Sequence, residues 1–365
     1  GNTANLEVVT LIAAGDADVT LDIDGALTQP GGQIVADHLE ATISGAVALT
    51  TRVNSISLET TASGDAVITQ PNPGSVSLVD IRILDGKLDV VANGSVTADN
   101  VQTLTNSDAN DISLSSGGDL LVGWVSAGLH ATNQAEADVL RLALLNGALG
   151  GLDPGALPSW MVQAGKFVDL SLVQARSLIP PEPSVLLNLL TTAIAANGVD
   201  LQSAGEEAQR LVGLTSDLTS QGDLTLTAGG AISEIGAGDA AADLVGDQLH
   251  LTAQSGISGL ETAVRTVLYA QTAAGPIELT DQDGIGDASA GLNIVEAYAV
   301  SGSITVQSEE TLVVGRVEAL NPGASVSLAS ERGHVIVPAL GWVKAGSGAI
   351  IHAGRDILVA DVVSA

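Results

Sequence analysis

The chain has 365 residues, 45% of them apolar, with 42 glycines, 2% aromatics and no cysteine. Its 42 acidic residues against 12 basic ones give a net charge of −30, which repels nucleic-acid phosphates and anionic membrane surfaces. Without cysteine there are no disulfides, thiolate metal sites or cysteine nucleophiles. The longest apolar runs, around Val139–Leu149 and Val185–Ala196, are too short to span a bilayer.

From Leu6 to Gly128 the chain alternates short apolar–polar strands with turn residues. Val19-Thr20-Leu21-Asp22-Ile23, Ile56-Ser57-Leu58, Val76-Ser77-Leu78 and Ile112-Ser113-Leu114 carry the alternation of strands with one buried face. Gly31-Gly32, Pro71-Asn72-Pro73-Gly74, Asn93-Gly94 and Gly117-Gly118 are the turn signals between them. One phrase recurs. Leu120-Leu121-Val122-Gly123-Trp124-Val125-Ser126-Ala127 reappears as Leu312-Val313-Val314-Gly315-Arg316-Val317-Glu318-Ala319, and more loosely from Val96 and from Ile357. A strand phrase repeated along one chain signals a repeat architecture.

Residues 129–215 break this pattern. Gln134–Leu149, Pro183–Ala196 and Ser203–Leu211 are rich in good helix formers, with Pro183 suited to a first helical turn and Asn197-Gly198 to a stop. The block is expected to be a mostly helical insertion between a β-helix part over 1–128 and a second over 216–365. In that second part Ile232, Ile257, Ile285, Leu312, Val335 and Ile357 form a series with gaps of about 22–28 residues. A second strand signal, as in Leu224-Thr225-Leu226, Leu249-His250-Leu251 and Ile277-Glu278-Leu279, lies inside each interval. The expected fold is all-β: a right-handed, three-sided parallel β-helix of about eleven rungs spaced about 4.8 Å apart, with the helical insertion. An antiparallel sandwich would not repeat one strand phrase at this period, and a leucine-rich repeat would need an Asn or Cys ladder that is absent. Because Gly1 begins inside the pattern, the chain is expected to be a piece of a longer protein.

Gly118-Asp119-Leu120-Leu121-Val122-Gly123-Trp124-Val125-Ser126-Ala127-Gly128 and Gly222-Asp223-Leu224-Thr225-Leu226-Thr227-Ala228-Gly229-Gly230-Ala231-Ile232 resemble the repeats of the filamentous haemagglutinin-like family, very large bacterial surface or secreted proteins. The resemblance covers roughly 1–128 and 217–365. It implies secretion across an outer membrane, display at the cell surface, and service as an adhesin, fibre or stalk.

Candidate sites are few. Asp281, Asp283 and Asp287, around Gly284, place three carboxylates at a tight turn that could surround Ca2+ with oxygen ligands. A solvated acidic turn explains the same residues, because the distal bidentate Glu of such loops is missing and the Gly-Ile step recurs in rungs without the acids. Trp124 and Trp342 occupy matching Gly-Trp-Val positions. Each is expected at a rung corner, either covering it or contacting a partner. Trp160, Met161 and Phe167 lie in the insertion, as packing residues or as a recognition surface for a host or neighbouring-cell protein or glycan, or for another copy of the chain. No catalytic residue is expected. Acids on outward strand positions such as Asp22, Asp80, Asp99 and Glu278 have no basic partners in a motif, the histidines show no local metal-pair spacing, and aromatic sugar platforms are scarce. The sequence thus favours a structural and adhesive segment over a filament or sheath subunit, and both over a polysaccharide-cleaving enzyme.

Overall fold

A computed structural model describes residues 5–105, 107–128, 221–236, 242–282 and 291–359. The expected helical insertion, together with Trp160, Met161, Phe167, Asp283 and Asp287, lies outside the described residues. What is described is an all-β solenoid of about eleven turns, in which every strand pairing is parallel and joins one turn to the next.

Two kinds of strand recur through the middle turns. One is flat and five residues long, as in Leu224–Ala228 and Ile304–Ser308, with its first, third and fifth side chains buried. The other has eight residues and is bent, as in Val96–Thr103 and Leu312–Ala319. Its first and third residues point inward, two consecutive residues face out, and its sixth and eighth point inward again. Because alternate residues of a strand face opposite sides, two outward residues in succession turn the strand through a corner. The recurring phrase of the sequence is this bent strand. Val96 pairs with Leu120 across the 24-residue step, and Val101 with Val125. The inward Val, Leu and Ile stack on their copies above and below in one continuous core, each fully buried side chain contributing on the order of 1.5–3 kcal/mol.

Beyond Gly128 the ladder resumes without a gap. Ile112 pairs with Leu224 and Leu114 with Leu226. The Gly222 N–H donates to the Ala127 carbonyl at 2.8 Å, so the chain leaves and rejoins the solenoid at neighbouring points.

In one respect the rungs depart from the sequence expectation. The series Ile232, Ile257 and Leu312 is not a single ladder, and Ile285 lies outside the described residues. Ile257 pairs with Ile277, and Leu312 with Leu292. The companion series divides as well: Leu249 pairs with Val267, not with Ile277. The cause is the long strand Gly256–Thr272, which carries two register shifts. Leu268 is an extra residue opposite Leu249-His250, and a second extra residue lies between Ile257 and Leu260, where Gly259 takes φ +69°. Each bulge changes where the corner falls. The flat side before this strand continues as the bent side Leu292–Ala299, and the bent side continues as the flat strand Ile277–Asp281. Both series kept their period in the sequence while exchanging sides of the solenoid.

Candidate functional site

The outer wall departs most from the repeat where Leu120–Ala127, Leu244–Ala253 and Gly256–Thr272 meet. Leu244, Val245, Gly246 and Asp247 are buried in succession, so both faces of this strand are covered. Val245 and Ala263 form a small apolar cluster apart from the main core, with Trp124 and Ala242 packed against it. Beside it, Arg265 grips the nearly buried Asp247 carboxylate with two hydrogen bonds, 2.6 Å from Nε and 2.9 Å from a terminal nitrogen. This bidentate pairing supplies the compensation a buried charge requires.

Next to these lies a cluster of three carboxylates, Glu234, Asp243 and Glu261, each offering an oxygen within 4.8 Å of the others. Backbone pairing puts them together. The Asp243 carbonyl accepts the Val125 N–H at 2.7 Å, and the Asp243 N–H donates to the Glu261 carbonyl at 2.8 Å. The Asp243 side chain in turn accepts the Glu261 N–H at 2.9 Å. Burial pushes the Asp243 carboxyl up to about 8, and the neighbouring charges of Glu234 and Glu261 push the same way. The raised value belongs to the cluster, which holds a proton more tightly than isolated carboxylates do and can share it among its oxygens.

This shift gives a signed pH dependence. Between the unfolded carboxylate's pKa, near 4, and about 8, the folded chain holds a proton that the unfolded chain has released. Stability contributed by this site is therefore full below pH 4 and falls as pH rises towards 8. Asp243→Asn removes the titration. Melting curves from pH 5 to 9 should show the variant losing less stability across this range than the native chain; parallel losses would contradict the assignment.

The sequence-derived candidates occupy separate places. Asp281 is not in a loop but ends the flat strand Ile277–Asp281, buried, accepting a hydrogen bond from Ser308 Oγ at 2.9 Å. Trp124 lies at the bend of its strand, registered with Asn100 and half-buried against Val245 and Ala263. Trp342 is registered with Arg316, whose guanidinium lies 4.7 Å from the centre of the exposed indole ring. The two tryptophans thus hold the same position in the strand phrase, but on different sides of the solenoid and in different surroundings. The acidic cluster has no motif in the sequence, because its members come from separate strands and connections. Its one local trace is Asp243 directly before the unbroken apolar pair Leu244-Val245, a break in strand alternation.

No family model, curated protein or solved structure matches the chain.

Proposed function

We propose that the chain is a structural and adhesive segment of a large bacterial surface or secreted fibrous protein. The solenoid, coiled right-handed as parallel crossovers overwhelmingly are, acts as a stiff scaffold that presents residues 129–220 for recognition. The observation that carries this reading is the junction: Gly222 bonds to Ala127, and the Ile112–Leu224 ladder continues as though nothing intervened. A segment can be carried this way without weakening the stack that holds it. A repetitive wall offers similar surfaces at every turn, whereas a non-repeating segment offers a unique one. The partner would be a protein or glycan on a host or neighbouring cell, or another copy of the chain. The place of action would be outside the cell, and no chemical step is involved. The acidic composition suits that setting by opposing non-specific adsorption to anionic surfaces.

The test compares the native chain with a variant in which residues 129–220 are replaced by a short Gly-Ser linker, each applied to cell and glycan surfaces with and without calcium. Loss of binding with an unchanged β circular-dichroism spectrum is the expected result. Equal binding by both chains would place recognition on the scaffold, and absence of binding by either would leave only a spacing role.

A further inference from the structure

A second recognition feature lies on the scaffold itself, near its beginning, and arises from unequal turn lengths. Four successive turns reach the same corner. The connection from Leu11–Ala13 to Val19–Ile23 uses residues 14–18, and that from Ala66–Gln70 to Val76–Ile83 uses residues 71–75. Between them, only Ala36-Asp37 joins Gln33–Val35 to His38–Ile43, and only Val53-Asn54 joins Val47–Arg52 to Ser55–Thr60. Two short connections flanked by two long ones leave a notch with a floor and two walls. Its volume is about 580 Å³, within the range of small-molecule sites. Spanning three inter-strand steps, it is about 14 Å long.

The lining is polar and of mixed sign. Asp37 and Asn54 form the floor, Asp16 one wall, Asn72 and Ser75 the other, and Arg52 stands beside them. Asn54 Nδ2 donates to Asp37 Oδ1 at 2.7 Å, which orients the carboxylate. Beneath the floor, buried Gln70 accepts from Thr51 Oγ1 at 2.9 Å and donates to the Val53 carbonyl at 2.7 Å, so the short connection is held from inside. Two donors await acceptors. Asn72 Nδ2 is buried with no hydrogen-bond partner. Arg52 has no ion-pair partner among the described residues, although acids outnumber bases in the chain by 42 to 12.

We infer that this notch binds a neutral saccharide of one or two rings. A vicinal diol is both donor and acceptor and fits this mixed lining: its O–H groups donate to Asp16 and Asp37, while its oxygens accept from Arg52. An anionic sugar would meet two carboxylates and a net charge of −30. A metal ion would meet the Arg52 guanidinium. The inference goes beyond the proposed function, since the notch belongs to the solenoid and stands whether or not residues 129–220 bind anything.

The experiment is saturation-transfer NMR on the full chain with methyl α-mannoside, methyl β-galactoside, lactose, cellobiose and chitobiose, beside galacturonate and sialyllactose as anionic probes. At least one neutral sugar is expected to bind, weakened about tenfold or more by Asp37→Ala and by Arg52→Ala, each of which leaves a polar partner unmatched. Both side chains are exposed, so the fold should survive, and circular dichroism verifies this. Arg355→Ala, on a distant turn, should bind as the native chain does. Failure of every neutral sugar, binding indifferent to both notch variants, or preference for an anionic probe would each overturn the inference.

Discussion

Leu226→Asp should abolish cooperative melting of the central turns. Leu226 is fully buried and is stacked between Leu114 and Leu251 in the ladder. A carboxylate there has no counter-ion and no polar neighbour in register. Leaving it buried costs several kcal/mol, about 3–5 or more, beyond the roughly 2–5 kcal/mol lost when a core leucine is truncated to alanine. Each turn is held only by its neighbours, so damage at one rung spreads to the next. Thermal denaturation followed by circular dichroism should show an early transition for Leu226→Asp, and a smaller downward shift for Leu226→Ala. A native melting curve for the aspartate variant would mean that Leu226 does not face the core.

Gly302→Val should also be damaging, for a backbone reason. A Cβ at Gly302 would fall within the van der Waals envelope of the Gly275 carbonyl oxygen on the turn below, with the Pro276 nitrogen beyond it. Those atoms are backbone and cannot rotate aside. Gly275 is itself fixed at φ +83°, a conformation that side-chain-bearing residues rarely adopt. Relief requires separating two turns whose spacing is set by the parallel ladder. The expected loss is about 3 kcal/mol, the upper part of the usual overpacking range. Gly348→Val is the matched control. Nothing lies within 4 Å of a Cβ there, so its effect should stay within about 0.5 kcal/mol. Equal melting temperatures for the two variants would remove the close-stacking explanation of the turn glycines.

Much of this fold was legible because a solenoid writes its period into the sequence. The phrase from Leu120 to Ala127 predicts its own geometry. Inward Leu120, Val122 and Val125 with Gly123-Trp124 at the corner follow from alternation interrupted once, and the register Val96–Leu120 follows from aligning two copies. The exchange of sides along Gly256–Thr272 was hidden. Leu268 and the extra residue beside Gly259 shift the register by single positions while the apolar period runs on, so the ladders Leu249–Val267 and Ile257–Ile277 could be told apart only by pairing. The carboxylate cluster and the notch were hidden for a related reason. Glu234 and Asp243 both lie over the strand Leu120–Ala127, nine residues apart, and Glu261 comes from the next turn, so the three converge through stacking. The notch depends on the difference between two-residue and five-residue connections at one corner, a comparison that has meaning only once those connections are known to be stacked. Local chemistry was readable where it repeats, and not where it comes from neighbours a full turn apart.

The proposed function requires the solenoid to continue in register on both sides of residues 129–220, and one cross-linking measurement tests this directly. The chain has no cysteine, so an engineered pair is the sole thiol pair present. Ser113 and Thr225 face outward as registered neighbours on adjacent parallel strands, a separation of about 4.8 Å that suits a disulfide. Ser113→Cys with Thr225→Cys should oxidise rapidly to an intramolecular bridge, while Ser113→Cys with Thr227→Cys, two positions out of register, should remain reduced under the same conditions. Equal bridging of the two pairs, or none in the first, would contradict an uninterrupted ladder and with it the scaffold on which the proposed function depends.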